Sequence, residues 1–134
     1  EVGGEFGNQG PFTGTLDFAQ SARTKRDGTS ALANTTIAIV ATDAVLSKAQ
    51  AKRFAVAAQD GIARGCSPAH TPVDGDLIFS AAMGLNPIKD PILDVIHLGH
   101  AAAVCLARAM ARAIYLATPA PKDIVPTWQE KWGK

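Results

Sequence analysis

The run Thr36-Ile37-Ala38-Ile39-Val40 constrains this chain more than any other stretch. Isoleucine, valine and threonine are branched at Cβ, stiff at χ1 and suited to a pleated surface, so the run reads as a buried strand. It is approached through the small residues Ala31-Leu32-Ala33 and then Asn34-Thr35, which puts hydroxyl side chains where a loop becomes a strand. A rigid element that begins with a hydroxyl is a good place to hold a nucleophile, because the strand fixes its position. The plainer reading is a turn leading into a strand, where Asn and Thr are common. A threonine hydroxyl is a poor nucleophile until a base takes its proton. If Thr35 were an N-terminus, its own α-amine, with a reference pKa of roughly 7.7–8.0, could act as that base near neutral pH.

At 134 residues the chain is long enough for one domain and too short for two ordinary ones. Hydrophobic content of 47% with 19% charged residues is globular and argues against disorder of the whole. The net charge of +1 sets up no strong field toward nucleic acid or an anionic membrane, and neither is expected as a partner. Cys66 and Cys105 lack CxxC spacing and form no disulfide framework; free, buried thiols in a reducing cytoplasm are the expectation. Glu1 opens a Gly-rich polar segment without the apolar stretch of a signal peptide, in keeping with a cytoplasmic location. The longest apolar tract, Ala101 to Ala117, is interrupted by Arg108 and Arg112 and reads as a packed helix, not a membrane span.

In chain order, Glu1 to Ala33 is broken by Gly3, Gly4, Gly7, Gly10 and Gly14 and carries the basic run Arg23 to Arg26, which reads as a solvated linker. At most a short element is expected around Phe12 to Phe18. After the strand, Thr36 to Thr42, Ser47 is placed to cap a helix over Lys48 to Arg64, ended by Gly65-Cys66-Ser67-Pro68. Asp74-Gly75-Asp76 is a tight corner before the apolar run Leu77 to Ala82. If Asp74 already belongs to the extended segment, it and Asp76 face the same way, since side chains alternate with period two. His70 reads as a loop histidine with a structural or solvated role. Met83-Gly84-Leu85-Asn86-Pro87 is expected to turn the chain, and Asp90-Pro91 to start a long helix over Ile92 to Leu116. Asp94, His97 and His100 share a face of that helix at metal-ligand spacing. One helix rarely supplies three ligands alone, and no HExxH pattern is present, so no metal and no cofactor are expected. Trp128 and Trp132 would share a face of a short terminal helix and dock on a core or a neighbour.

Several of these pieces together resemble the self-cleaving hydrolases of the DmpA-type aminopeptidase family, which includes the β-peptidyl aminopeptidases and the nylon-oligomer (6-aminohexanoate) hydrolases. The resemblance is carried by Asn34-Thr35-Thr36-Ile37, Val40-Ala41-Thr42-Asp43-Ala44, Ser47-Lys48-Ala49-Gln50-Ala51-Lys52-Arg53 and His70-Thr71-Pro72-Val73-Asp74-Gly75-Asp76, in that order. It implies that the Asn34–Thr35 bond is cut by the chain itself, that Thr35 becomes the N-terminal nucleophile, and that Asp74 and Asp76 belong to the catalytic constellation. It also implies an α/β, Ntn-hydrolase-like fold. That fold is a four-layer αββα sandwich, assembled as a homo-oligomer from an α part and a β part of one precursor. Residues 1–34 would then be the tail of the α part and 35–134 the β part, built as strand, helix, strand and long helix. The implied substrates are peptides or oligoamides, and the Asn-Thr pair at the cut resembles the nylon-oligomer branch. Residues of the α part that complete the oxyanion site in such enzymes have no counterpart among Asn8, Lys25 and their surroundings. Two alternatives stay open. The ornithine acetyltransferases share an Ala-Thr-Asp strand, here Ala41-Thr42-Asp43, and pass an acyl group to an amine; a non-catalytic assembly module would use Thr35 only as a strand start.

Overall fold

The computed structural model describes residues 35–66, 68–123 and 125–133. Asn34, the Gly-rich segment before it and the short element expected around Phe12 to Phe18 lie outside the described residues. The order of elements is β1 (Ile37–Val45), α1 (Lys48–Gly65), β2 (Leu77–Pro87), α2 (Leu93–Leu116) and α3 (Trp128–Trp132). This is a mixed α/β arrangement around a two-stranded sheet.

Local chemistry sets most of these boundaries. Ser47 caps α1 with a full capping box: its hydroxyl accepts from the Gln50 N–H at 3.3 Å, and Gln50 Oε1 accepts from the Ser47 N–H at 2.9 Å. The helix closes where the Cys66 N–H donates to the Ile62 carbonyl at 2.8 Å. Ahead of α2, Asp90 Oδ1 accepts from the N–H groups of Ile92 and Leu93 at 2.8 and 2.9 Å. Asp90 thus closes the turn ahead of the helix. The helix itself begins at Leu93 behind Ile92, which has no side-chain cap, so the expected start with Asp90 as N-cap and Pro91 as first helical residue is corrected.

β1 and β2 pair in parallel, with α1 as the crossover between them. The register runs from Ile37↔Leu77 to Thr42↔Ala82 and resumes at Ala44↔Asn86. Between those pairs β2 carries extra residues, and Gly84 there takes a φ of +70°, which glycine adopts without steric cost. Met83 to Pro87 is thus a bulged continuation of the strand, not the expected turn. Pairing across the bulge, with Asn86 Nδ2 donating to Asp43 Oδ2 at 2.7 Å, overrides the local turn chemistry of Gly, Asn and Pro. β1 likewise extends through Asp43 and Ala44 to Val45, past Thr42, where the strand is expected from the sequence to end.

One face of the sheet is covered by the helices. Val40 and Ile78 meet Phe54, Ala58 and Ile62 of α1 and Ala102 and Leu106 of α2 in the buried core. Ser80 Oγ donates to the Ala51 carbonyl at 2.7 Å and ties β2 to α1. The other face holds Ile37, Ile39 and Phe79 at 70%, 67% and 54% exposure, so the described residues leave a large apolar sheet surface uncovered.

α1 and α2 cross very closely. A Cβ on Gly61 would stand 2.6 Å from the Ala103 carbonyl oxygen, and one on Gly99 would stand 2.9 Å from Ala57 Cβ. By length and composition α2 could cross a bilayer; here its small-residue stripe, Gly99, Ala102, Ala103, Leu106 and Ala107, is buried. Cys105 lies off that stripe and is exposed, and Cys66 is half-buried, so the expectation of two buried thiols is corrected. Of the two tail tryptophans only Trp128 docks, its ring centroid 4.8 Å from that of Tyr115; Trp132 is 61% exposed.

Two outcomes are expected from this packing. Gly61→Ala gains roughly 1 kcal/mol in helix propensity. It sets a methyl against a backbone carbonyl that cannot swing aside, and overpacking of this kind costs about 1–3 kcal/mol. A urea midpoint below that of the unmodified protein, at unchanged slope, is the expected result. The second concerns Asp94, whose carboxyl is held below its ordinary pKa by the backbone N–H of Asp90 and then that of Lys89, donating at 3.0 and 2.7 Å. A depressed folded pKa adds stability above the unfolded value, which is lost as pH falls through the folded one. The stability gap between the unmodified chain and Asp94→Asn should therefore be open at neutral pH and close as the pH drops below 3.8.

Candidate active site

Parallel pairing sets the starts of β1 and β2 side by side, and the residues singled out from the sequence meet there. The Leu77 N–H donates to the Thr36 carbonyl at 2.9 Å, the first rung of the ladder. One residue earlier, Asp76 Oδ1 accepts from the Thr36 N–H at 2.8 Å. The Asp76 side chain is 2% exposed. A carboxylate so buried needs partners, and its second oxygen has them: the His70 N–H at 3.2 Å and the His70 ring Nδ1 at 3.3 Å.

Gly75 packs directly against Thr35. A Cβ at this glycine would stand 2.8 Å from Thr35 Oγ1 and 3.6 Å from its Cγ2. The missing side chain is what lets the corner approach the hydroxyl. Asp74 has a different occupation. Its Oδ2 accepts from the Thr71 N–H at 2.9 Å while its own N–H donates to the Thr71 carbonyl at 2.9 Å, which closes the turn before the corner. β2 begins only at Leu77, so the alternation that would align the two aspartates does not apply, and their carboxylates go to different partners.

His70, read from the sequence as a loop histidine with a structural or solvated role, has a structural one here. Its φ of +56° is the left-handed conformation, costly for a residue with a side chain. Two contacts with Asp76 hold it there, and its Nε2 lies 3.4 Å from the Gln59 carbonyl of α1. The ring therefore bridges the start of β2 to the crossover helix. Only its position six residues before Asp76, between Pro68 and Pro72, could have hinted at this.

A cleft of about 550 Å³ opens at Thr35 and Thr36 and runs along the second half of α2 to Trp128. Asp94 and His97 face a separate, shallower cleft with Asn86, at the other end of the sheet. Among the described residues no three His, Cys, Asp or Glu side chains gather as a metal site would require.

Comparison with known proteins now bears on this geometry. Peptidase family S58 matches residues 7–123, nearly the whole chain and all of the strand–helix–strand unit. The chain belongs to peptidase family S58. This S58 chain is 41% identical over 110 residues to an uncharacterized aminopeptidase of Mycobacterium tuberculosis strain H37Rv, a match covering 72% of this chain and 30% of the relative. A protein of the same description from Mycobacterium bovis matches to the same extent. One from Mycobacterium leprae is 45% identical over 97 residues, covering 63% of this chain and 26% of the relative. The chain thus spans under a third of the length of these relatives.

Removing the acceptor at the centre of the site should be costly. Asp76→Ala strands the Thr36 and His70 N–H groups, and roughly 1–3 kcal/mol is expected for a buried donor left unpaired. Asp76→Asn keeps one acceptor oxygen and should fall between the two. Chemical denaturation of the three proteins at neutral pH checks the order.

Proposed function

We propose that this S58 chain carries the nucleophilic half of an amidohydrolase that activates itself by cutting the Asn34–Thr35 bond and then hydrolyses amide bonds of peptides or oligoamides. The observation that carries the reading is the packing of the Asp74-Gly75-Asp76 corner on Thr35, with the Asp76 carboxylate bound one residue away at the Thr36 N–H. Cleavage would free an α-amine at Thr35, beside that carboxylate.

In self-processing, Thr35 Oγ1 attacks the Asn34 carbonyl, the C–N bond breaks and frees the Thr35 amine, and water then hydrolyses the ester formed, releasing the Asn34 carboxylate and restoring the Thr35 hydroxyl. In turnover the same oxygen attacks a substrate amide carbonyl. Its proton passes to the α-amine and on to the departing amine, and water then releases the acyl group. Asp76 holds the chain at Thr35–Thr36 and stabilises positive charge on the amine. Asp74 shapes the turn that sets Gly75 against the hydroxyl. Donors for the oxyanion come from the α part of the precursor. That part also covers Ile37, Ile39 and Phe79, completing the αββα sandwich, and the assembled enzyme is a homo-oligomer in the cytoplasm. A peptidase family and relatives named aminopeptidases favour water as acceptor over an amine.

The test is the intact mass of the protein under denaturing conditions, with N-terminal sequencing of the smaller species. The expected fragment begins Thr35-Thr36-Ile37, and Thr35→Ala should give a single uncut chain. Two fragments from Thr35→Ala would sink the reading. Gly75→Ala, which crowds the hydroxyl, should slow processing on the order of a hundredfold, the cost of a displacement near 1 Å.

A further inference from the structure

We propose that the cleft at Thr35 receives the side chain of the residue released from a peptide N-terminus, and that it selects large apolar side chains such as Leu, Met and Phe. This rests on Thr35 as the nucleophile and adds the substrate class.

The geometry starts from the reacting oxygen. In an acyl transfer the side chain of the attacked residue branches from the carbon next to the carbonyl, so it must lie close to Thr35 Oγ1. Thr35 itself lines the cleft, with Thr36 and Ile37 at the same end and Met110, Tyr115 and Trp128 along its wall. Its volume of about 550 Å³ falls within the roughly 300–1,000 Å³ usual for small-molecule sites. None of its described lining residues has a side chain that is charged at neutral pH. A charged side chain placed there would lose water without gaining a partner, whereas an apolar one loses nothing.

The wall is built to hold its shape. The Tyr115 and Trp128 rings meet at 52° with centroids 4.8 Å apart, a tilted pairing favoured by aromatic quadrupoles. Trp128 is fixed by its own short helix, where Thr127 and Glu130 form a capping box: the Thr127 hydroxyl accepts from the Glu130 N–H at 3.3 Å, and Glu130 Oε2 accepts from the Thr127 N–H at 2.8 Å. Opposite, Gly65 lets Met110 come in close, since a Cβ there would be 3.2 Å from the Met110 sulfur. A cleft lined by a flexible thioether and two paired rings suits unbranched and aromatic side chains alike.

The experiment has two arms. In the first, hydrolysis of X-Ala amides by the processed protein is compared for X = Gly, Ala, Leu and Phe, and again with Ala-X amides. The expected kcat/KM rises from Gly to Leu and Phe in the first series only, by tenfold or more, since one methylene in an apolar pocket is worth roughly tenfold to two-hundredfold. Trp128→Ala should lower the Leu to Ala ratio at least tenfold, with the change in KM. A ratio moved less than threefold, or selectivity confined to the Ala-X series, overturns the assignment. The second arm needs no catalysis. In a Thr35→Ala, Cys105→Ser protein, Cys66 in the cleft wall is alkylated by a maleimide in the presence of leucinamide or glycinamide. Slower labelling with leucinamide alone supports the pocket, and equal rates overturn it. If no peptide is hydrolysed, the proposed activity falls while the labelling arm still decides the cleft.

Discussion

Everything at the candidate site depends on β1 and β2 running in the same direction. An antiparallel pair would put the start of one strand beside the end of the other. Parallel pairing aligns both starts, so Thr35–Thr36 and Asp74–Asp76 fall together while Asp43 and Asn86 meet at the far ends. That arrangement requires a crossover, and α1 supplies it within the thirty-one residues between Val45 and Leu77. The buried Asp76 carboxylate then serves as an extra rung below the ladder, accepting from the Thr36 N–H.

The helices keep this alignment rigid through close approach, not through bulk. Gly61 and Gly99 let α1 and α2 touch backbone to side chain, and Phe54 and Ile62 are the main large residues between them and the sheet. Close packing of small residues leaves little room for sliding, since protein interiors are filled to near-crystalline density. The same α2 that closes the core at Ala102 and Leu106 goes on past it, so its second half is free to wall the cleft at Thr35. One helix joins stability to recognition along its length.

Sequence alone reached those features whose causes are local. The β-branched run from Thr36 to Val40 and the Ser47 cap each depend on a few neighbouring residues, and each forms where expected. Where a distant partner decides, the reading failed. Gly84, Asn86 and Pro87 spell a turn, and only pairing with a strand forty residues earlier makes them a bulge. Cys105 belongs to an apolar tract, but burial follows a narrow stripe set by α1. His70 carries no local mark of its left-handed bend, because the carboxylate that holds it arrives by tertiary folding. Thr35, Asp74 and Asp76 could be singled out as candidates, yet the division between them, one carboxylate for the strand start and one for the turn, could not be read.

The bond between Thr36 and Asp76 spans forty positions of chain. Before it can form, β1 must wait for a whole helix and the corner beyond it to emerge and dock. Pairing two strands in parallel across such a separation is slow beside forming a helix or a hairpin. The approach of Thr35 to the Asp74–Asp76 corner is therefore timed by topology: it exists only once the crossover helix has docked and brought the two strand starts together.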